Sequence, residues 1–290
     1  MKMYLISHGR LRGNTLVEML QQDYQADVHY TESTRHASEL AARIPFDTTV
    51  LAVAGGDGTL HEVVDGLMQR KSELRPPILL LPLGSGNDTA RMIGAKATIA
   101  DIRRRLAEFN PLEWDILECT IGSDGQTRYC TNVLDVGFGG DVARRFNGVF
   151  RRLPPRLGYM AATLQAFVTA SAHEITVSAD DVEVTAPMLM VAVANSKWFG
   201  SGIGIAPYAR PHDGIADLTL ITNVGVLTYL RFLPQLIKGR VISDTRIQYL
   251  QSTRVVITAS KPLPIEIDGE FVGNTPLHVV VRKNSVRLLI

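Results

Sequence analysis

Two short blocks rich in glycine and small polar residues carry the clearest chemical signal in this sequence. Residues 54–60 read AGGDGTL and residues 81–91 read LPLGSGNDTAR, and each block follows an apolar run typical of a buried parallel strand. Glycines at such a position let a ligand approach bare backbone N–H groups, and the N-terminus of the helix that follows attracts anions. The two blocks therefore predict a site for phosphate groups.

The blocks do not fit the common nucleotide-binding motifs. A Walker loop ends in Gly-Lys-Ser or Gly-Lys-Thr, and neither block does; neither block has the G-x-G-x-x-G spacing of a dinucleotide-binding turn. The H-R-D and D-F-G tripeptides of protein kinases are absent from the sequence. A tight turn without a ligand would explain one block, but two blocks in strand–turn–helix context disfavour that alternative.

Three carboxylate or amide side chains of these blocks are candidates for chemistry. Asp57 could face phosphates through Mg²⁺ or approach a substrate hydroxyl, and the alternative is a simple helix cap. Asn87 and Asp88 present the same choice in the second block. The groups expected to contact phosphate oxygens are the backbone of Gly56 and Gly58 and the hydroxyls of Thr59 and Ser85.

Two further regions combine carboxylates with glycines. The long loop 195–217 ends in an Asp-Gly pair at Asp213, where a carboxylate and loop carbonyls suit Mg²⁺ or Ca²⁺, although Asp213 could simply close a turn and Asp217 could be an exposed strand residue. Asp268 and Glu270 flank a glycine in a predicted hairpin. The alternative there is a plain Asp-Gly turn with a solvated glutamate.

A basic segment follows in the middle of the chain. Its residues alternate arginines (Arg144, Arg145, Arg151, Arg152 and Arg156) with apolar side chains (Phe146, Val149, Phe150 and Leu153). A solvated basic helix is one interpretation. The other is a surface on which exposed aromatic and basic residues together bind anionic lipid.

The 290 residues are enough for two domains, and 46% hydrophobic residues allow an ample core. A net charge of +1 argues against a dedicated nucleic-acid binder. Cys119 and Cys130 lack metal-ligand spacing, so buried thiols in a reducing compartment are expected. Apolar runs are too short for a membrane span or a signal peptide, which predicts a cytoplasmic protein with at most peripheral membrane contact.

The candidate residues are distributed over two predicted domains. Residues 1–112 alternate strand and helix patterns, which predicts a doubly wound parallel sheet with ligands at the carboxyl ends of its strands. Residues 113–290 consist mainly of short period-two segments, interrupted by helical patterns at 158–170 and 227–238. They predict an antiparallel β-sandwich whose last strand could return to the first domain.

The chain resembles the bacterial diacylglycerol kinase-like lipid kinases, relatives of sphingosine and ceramide kinases and more remotely of NAD kinases. The GGDGT motif is shared by that whole superfamily. Four further matches are typical of the lipid-kinase branch and occur in its order: residues 83–91, 132–141, 213–217 and 267–270. One stretch departs from the family pattern, because SHGRLRGN at 7–14 stands where the family often has Asn-Pro-x-x-Gly.

The resemblance implies an ATP-dependent transfer of phosphate to a lipid hydroxyl in phospholipid metabolism, with the active site in a cleft between the two domains. It implies nucleotide contacts from Thr31, Gly55, Gly56, Asp57, Gly58, Thr59, Leu60, His61, Glu62, Ser85, Asn87 and Asp88. It also implies a structural Mg²⁺ bound by Asp213 and the carbonyls of Arg210 and Ile215. Asp268 or Glu270 would remove the hydroxyl proton, with Glu270 preferred, and Asp57 would act near a catalytic Mg²⁺.

The alternatives to a lipid kinase are an NAD kinase-like enzyme and a catalytically silent lipid- or nucleotide-binding regulator. An apolar cleft around Phe138, Phe146 and Phe150 would favour the lipid acceptor. All the candidate carboxylates are present, which disfavours the silent regulator. The expected partners are ATP, a hydroxylated lipid and the inner membrane surface, without nucleic acid; a homodimer and the identity of the lipid stay open.

Overall fold

A computed structural model of the protein describes residues 1–153 and 155–290. The side chains of residues 147, 151, 155, 156, 159 and 160 lie outside the described part; they include Arg151 and Arg156 of the basic segment. The chain forms two compact units. The first unit comprises residues 1–116 and 282–290, and the second comprises residues 117–281.

The first unit alternates strands and helices. Its strands are β1 (Met3–Ser7), β2 (Asp27–Tyr30), β3 (Val50–Gly55), β4 (Ile78–Pro82) and the beginning of β5 (Pro111–Ile121). Its α-helices are α1 (Thr15–Tyr24), α2 (His36–Ala42), α3 (Asp57–Leu67), α4 (Asp88–Ile93) and α5 (Ile99–Glu108). Short 3-10 helices lie at Gly9–Leu11 and Ser72–Leu74.

The strands of the first unit form a parallel sheet in the order β2-β1-β3-β4, and the end of the last strand of the chain continues it beside β4. Strands β1 and β3 are buried along their whole length because helices cover both faces. The helices α1 and α5 share one core with alternate strand residues such as Leu5 and Leu79. Since α2 and α3 pack on the other face, the predicted doubly wound α/β fold is confirmed.

The second unit consists mainly of antiparallel strands. They are the end of β5, β6 (Gln126–Cys130), β7 (Val133–Gly137), β8 (His173–Ala179), β9 (Val182–Met188), β10 (Met190–Ala194), β11 (Trp198–Phe199), β12 (Ile203–Gly204), β13 (Ala216–Ile221), β14 (Ile247–Ser252), β15 (Arg254–Ala259), β16 (Pro264–Ile267), β17 (Glu270–Asn274) and the start of β18 (Leu277–Leu289). Its α-helices are α6 (Phe138–Gly148), α7 (Pro155–Thr169) and α8 (Val226–Ile237), with a 3-10 helix at Phe150–Arg152.

A six-stranded sheet in the order β14-β13-β10-β7-β16-β17 packs against the strands β5, β8, β15 and β18. Inward-facing residues of both layers, such as Leu134, Val193 and Ile257, form one buried core. The predicted antiparallel sandwich is therefore confirmed. The helical patterns predicted at 158–170 and 227–238 correspond to α7 and α8, and a third helix, α6, follows β7 directly.

No helix of the described chain combines the length and the apolar character needed to cross a bilayer.

Candidate functional site

The two glycine blocks meet at the carboxyl ends of β3 and β4. The amide of Leu83 donates to the carbonyl of Gly55 at 2.9 Å, which extends the pairing of these strands into the turns. A Cβ atom on Gly84 would lie 2.3 Å from the Cα of Gly56, so only glycine allows the two backbones to pass at this distance. Direct backbone packing thus holds the two turns together.

Asp57 connects the two turns through its side chain. One carboxylate oxygen accepts the amide of Asp88 at 3.0 Å, and the other accepts the amide of Thr89 at 3.0 Å. These are the first residues of α4, so Asp57, at the start of α3, caps a different helix from its own. The side chain holds the second turn against the first, whatever further role it has.

The second turn is closed by its own polar residues. Asn87 adopts a φ of +56°, and its side chain accepts the amide of Gly84 at 3.1 Å and donates to the carbonyl of Gly84 at 2.8 Å. Asp88 is buried and forms an ion pair with Arg91, with 3.3 Å between Oδ1 and Nη1. Ser85 is exposed at the tip of the turn.

The residues at the start of α3 differ in what they can offer a ligand. The side chains of Thr59, Leu60 and His61 are buried. Gly58 is exposed, has no positive φ, and a Cβ atom added to it would face open space. Neither backbone strain nor packing within the described residues therefore requires a glycine at position 58.

Two other predicted nucleotide contacts take part in loop structure. Glu62 accepts the amides of Arg35 at 2.9 Å and Ala37 at 3.2 Å, and so caps α2 from the neighbouring helix. The hydroxyl of Thr31 accepts the amide of Gly9 at 3.1 Å. This bond ties the atypical loop after β1 to the end of β2, at the same edge of the sheet as the glycine turns.

In the second unit, the hairpin between β16 and β17 presents Asp268 and Glu270. Asp268 has a φ of +48°, and its carboxylate accepts the amides of Thr131 at 2.7 Å, Asn132 at 2.9 Å and Val133 at 3.3 Å. Glu270 is exposed, and its carboxylate forms no hydrogen bond or ion pair with any described residue. The two carboxylates thus differ sharply: Asp268 anchors the hairpin, whereas Glu270 is available.

A buried pair of carboxyl groups lies beneath this hairpin. Glu266 of β16 is opposite Asp135 of β7 in the sheet, and both are buried under α6 and bonded to each other. Asp135 also accepts the amides of Gly139 and Gly140, the latter at 3.0 Å, while Glu266 accepts the amide of Gly269 between the two hairpin carboxylates.

Burial raises the pKa of Asp135 from 3.8 to about 6, and burial together with the Asp135 charge raises the pKa of Glu266 well above its ordinary value. Because two amides stabilise the Asp135 carboxylate and one stabilises Glu266, we assign the shared proton to Glu266. Only the packing of α6 on the outer face of the sheet buries Glu266.

The predicted metal loop also contains a buried carboxylate. Asp213 is exposed, and its Oδ1 accepts the amide of Ile215 at 3.0 Å, while the backbone turns at Gly214 with a φ of +77°. Asp217 is buried, so the alternative of an exposed strand residue at this position is wrong. Its Oδ1 accepts from Gln251 at 3.0 Å and its Oδ2 has no hydrogen-bond partner in the described chain; burial raises its pKa to about 6.

The basic segment differs from the expected lipid surface. Phe146 and Phe150 are not exposed aromatics; they pack against Val142, Ala162 and Ala166 between α6 and α7. Two of the arginines are also engaged: Arg144 pairs with Asp141 at 2.6 Å, and Arg145 donates to the hydroxyl of Thr169 at 2.7 Å. Val149 and Leu153 are the apolar residues of this segment that remain exposed.

Comparison with known proteins gives the family. Residues 7–119 match the diacylglycerol kinase catalytic domain, and residues 132–290 match the YegS C-terminal NAD kinase beta sandwich-like domain. The chain is 31% identical over 219 residues to a probable YegS-like lipid kinase of Chromohalobacter salexigens, covering 74% of this chain and 68% of that protein. It is 25% identical to a diacylglycerol kinase of Bacillus subtilis, covering 93% and 90%.

Solved structures show the same fold. A crystal structure of a diacylglycerol kinase from Bacillus anthracis superimposes with a TM-score of 0.74 at 16% identity, over 99% of this chain and 96% of that one. An NAD kinase from Archaeoglobus fulgidus, solved in complex with ATP, gives 0.58 at 14% identity, over 100% and 94%. The chain belongs to the diacylglycerol kinase-like family of lipid kinases.

Proposed function

We propose that this protein is an ATP-dependent lipid kinase that transfers the γ-phosphoryl group to the hydroxyl of diacylglycerol or a related glycerolipid. The observation that carries the proposal is the meeting of two glycine turns at Gly56 and Gly84, beside the unobstructed Gly58 at the start of a three-turn helix. Phosphoryl transfer depends mainly on holding the phosphates and neutralising their charge. Backbone amides at this corner suit that task.

We assign the nucleotide phosphates to the backbone of residues 55–59 and to Ser85. Thr31, Asn87 and Glu62 then act by shaping the loops around the nucleotide, since their side chains are bonded within the protein. The backbone of Leu60 and His61 completes the start of α3, because both side chains are buried. Oδ1 of Asp57 accepts both the amide and the hydroxyl of Thr89. Oδ2 accepts the amide of Asp88 and keeps a second lone pair, which fits a Mg²⁺ held with the help of Asp88.

We infer that Glu270 takes the proton from the acceptor hydroxyl. A general base needs an oxygen that can accept a hydrogen bond from the substrate. The Asp268 carboxylate is occupied by three backbone amides, whereas the Glu270 carboxylate is exposed at the start of β17. Asp268 in this scheme is a positioning residue that holds the hairpin in place.

A second cation fits the loop of the sandwich unit. Asp213 supplies an exposed carboxylate, Arg210 and Ile215 supply carbonyls, and the unpartnered Oδ2 of the buried Asp217 adds an acceptor that a cation would satisfy. Such a hard-oxygen set suits Mg²⁺ and also Ca²⁺. Its role would be structural, ordering the loop ahead of β13.

The function is tested with the full chain and labelled ATP. Diacylglycerol, phosphatidylglycerol and a sphingoid base are offered in mixed micelles, and NAD is offered in lipid-free buffer. Label is expected in one hydroxylated lipid and absent from NAD. Glu270→Gln should lower kcat by about 100-fold, the scale of general-base catalysis, with the affinity for ATP unchanged.

The matched control is Glu183→Gln, an exposed glutamate on β9 that should keep full activity. Labelled NAD without labelled lipid would favour the NAD kinase-like alternative. If the unmodified chain binds ATP but no acceptor is labelled, a silent regulator is favoured.

A further inference from the structure

Helix α8 is apolar on two opposite sides. One side carries Tyr229, Phe232 and Leu236, which pack into the second unit against Ile242 and Ile247. A surface helix of a globular protein normally has one such apolar stripe and a polar opposite face. The second side of α8 therefore needs its own explanation.

The second side consists of Leu227, Leu230, Pro234 and Ile237, which recur at intervals of three or four residues and are all exposed. Leu227 exposes 80% of its surface. The neighbouring helix α7 touches α8 through the rings of Phe167 and Tyr229, whose centroids are 5.2 Å apart. On either side of Phe167, α7 exposes Leu164 and Val168, the latter at 85%.

We call the exposed apolar residues of the two helices the α7–α8 surface; its members are Leu164, Val168, Leu227, Leu230, Pro234 and Ile237. Large exposed apolar side chains on adjacent helices usually mark an interaction site. The charge of the surrounding chain identifies the class of partner. Residues 142–173 and 218–243 contain no aspartate or glutamate.

The charged residues of α8 and of the segment directly after it, up to residue 243, are basic. Arg231 and Lys238 are exposed on the helix or directly after it, and Arg240 follows within two residues. A second copy of the chain docked face to face would bring these like charges together, which disfavours a dimer through this surface. Anionic lipid head groups would instead pair with them.

We propose that the α7–α8 surface binds an anionic bilayer, with Leu227, Leu230 and Ile237 among the upper acyl chains and the basic residues at the head groups. A helix with this division of residues lies in the plane of the interface. This proposal rests on the proposed function, because it names the surface that brings the enzyme to its lipid acceptor. The test is independent of that function, since vesicle binding can be measured whether or not the chain phosphorylates lipid.

The test is co-sedimentation with vesicles of phosphatidylcholine containing roughly a third phosphatidylserine, a content at which surface charge attracts basic residues. The double variant L227E/L230E is expected to bind at least tenfold more weakly than the unmodified chain. Val182→Glu, which changes a similarly exposed apolar residue on β9 of the same unit, should bind normally. A second variant, R231E/K238E, should also bind more weakly. Because all these side chains are exposed, unchanged melting temperatures check that the variants fold.

A direct readout comes from Leu227→Trp, whose fluorescence should shift to the blue on anionic vesicles and stay unchanged on pure phosphatidylcholine. Unchanged binding of L227E/L230E would overturn the proposal. The proposal would also be overturned if neither the unmodified chain nor L227E/L230E bound vesicles and the unmodified chain self-associated with rising concentration while the double variant did not. Loss of vesicle binding with retained phosphorylation of a water-soluble short-chain acceptor separates this surface from the catalytic site.

Discussion

Asp57 of the GGDGT motif lies at the start of α3 and caps the neighbouring helix α4. Its two oxygens accept the first two amides of α4, so removing the side chain should affect both the fold and the turns to which we assign the phosphates. We expect Asp57→Ala to lose activity and also to lower the free energy of unfolding by about 1–2 kcal/mol, the usual cost of a lost cap. Steady-state kinetics and chemical unfolding measure the two effects.

The control is Thr98→Ala, which removes the cap of α5 at the amide of Asp101. That variant should lose stability and keep its activity. If Asp57→Ala behaves in the same way, the side chain is a cap and nothing more.

The buried pair Asp135–Glu266 predicts a pH-dependent stability. Because burial raises both pKa values, the folded chain binds protons more tightly than the unfolded chain, and stability falls as the pH rises from the ordinary values near 4 through 6 and beyond. Glu266→Gln can donate to Asp135 and accept from Gly269 without titrating. Its stability should therefore decline less over this range.

Glu266→Leu serves as the contrast, because it leaves Asp135 and the amide of Gly269 without their partner and should cost about 1–3 kcal/mol at every pH. Urea unfolding at a series of pH values compares the three proteins. Equal slopes for the wild type and Glu266→Gln would show that the pair does not hold a proton.

At the scale of elements, the two glycine turns contain glycines for different reasons: Gly84 is required by backbone packing, whereas Gly58 is not. Gly84→Ala should destabilise the first unit strongly, since its Cβ would overlap the backbone of Gly56. Gly58→Ala should raise the free energy of unfolding by about 0.5–1 kcal/mol, because alanine favours a helix and meets no neighbour there.

The same Gly58→Ala substitution should weaken ATP binding, because its methyl group would occupy the space assigned to the phosphates. Thermal melting and titration calorimetry with ATP distinguish the two effects. If the Gly58→Ala variant is stabilised and binds ATP with normal affinity, the assignment of the nucleotide to the start of α3 is wrong.

At the scale of the molecule, bound cations should stabilise the fold by linkage. A cation that binds only the folded chain raises its melting temperature with concentration. We expect Mg²⁺ to raise the melting temperature of the wild type and to have a smaller effect on Asp213→Ala. Differential scanning calorimetry over a range of Mg²⁺ concentrations measures this.

Asp180→Ala is the matched control, since Asp180 also closes a loop, through the amides of Thr253 and Arg254, at a site distant in sequence from residues 210–217. It should melt at a lower temperature and respond to Mg²⁺ like the wild type. If Mg²⁺ raises the melting temperature of all three proteins equally, the proposed cation site in this loop is wrong.

The sequence by itself determined the two architectures and the position of the glycine turns. The strand and helix alternation of residues 1–112 and the helical patterns at 158–170 and 227–238 were predicted, because short-range periodicity specifies them. The apolar runs before each glycine block are typical of buried strands of a parallel sheet, and parallel strands bring their carboxyl ends to one edge. The resemblance to lipid kinases rested on these same local patterns.

Only the tertiary structure decided which carboxylates are occupied and which are available. Asp57, Glu62 and Asp268 accept amides from segments far away in the sequence, and no local pattern identifies such donors. Glu266 is buried because α6 covers it, and Phe146 is half-buried between α6 and α7, although the composition of its segment allowed an exposed aromatic. Burial depends on what packs against a residue from elsewhere in the chain, and that contact is a property of the folded molecule.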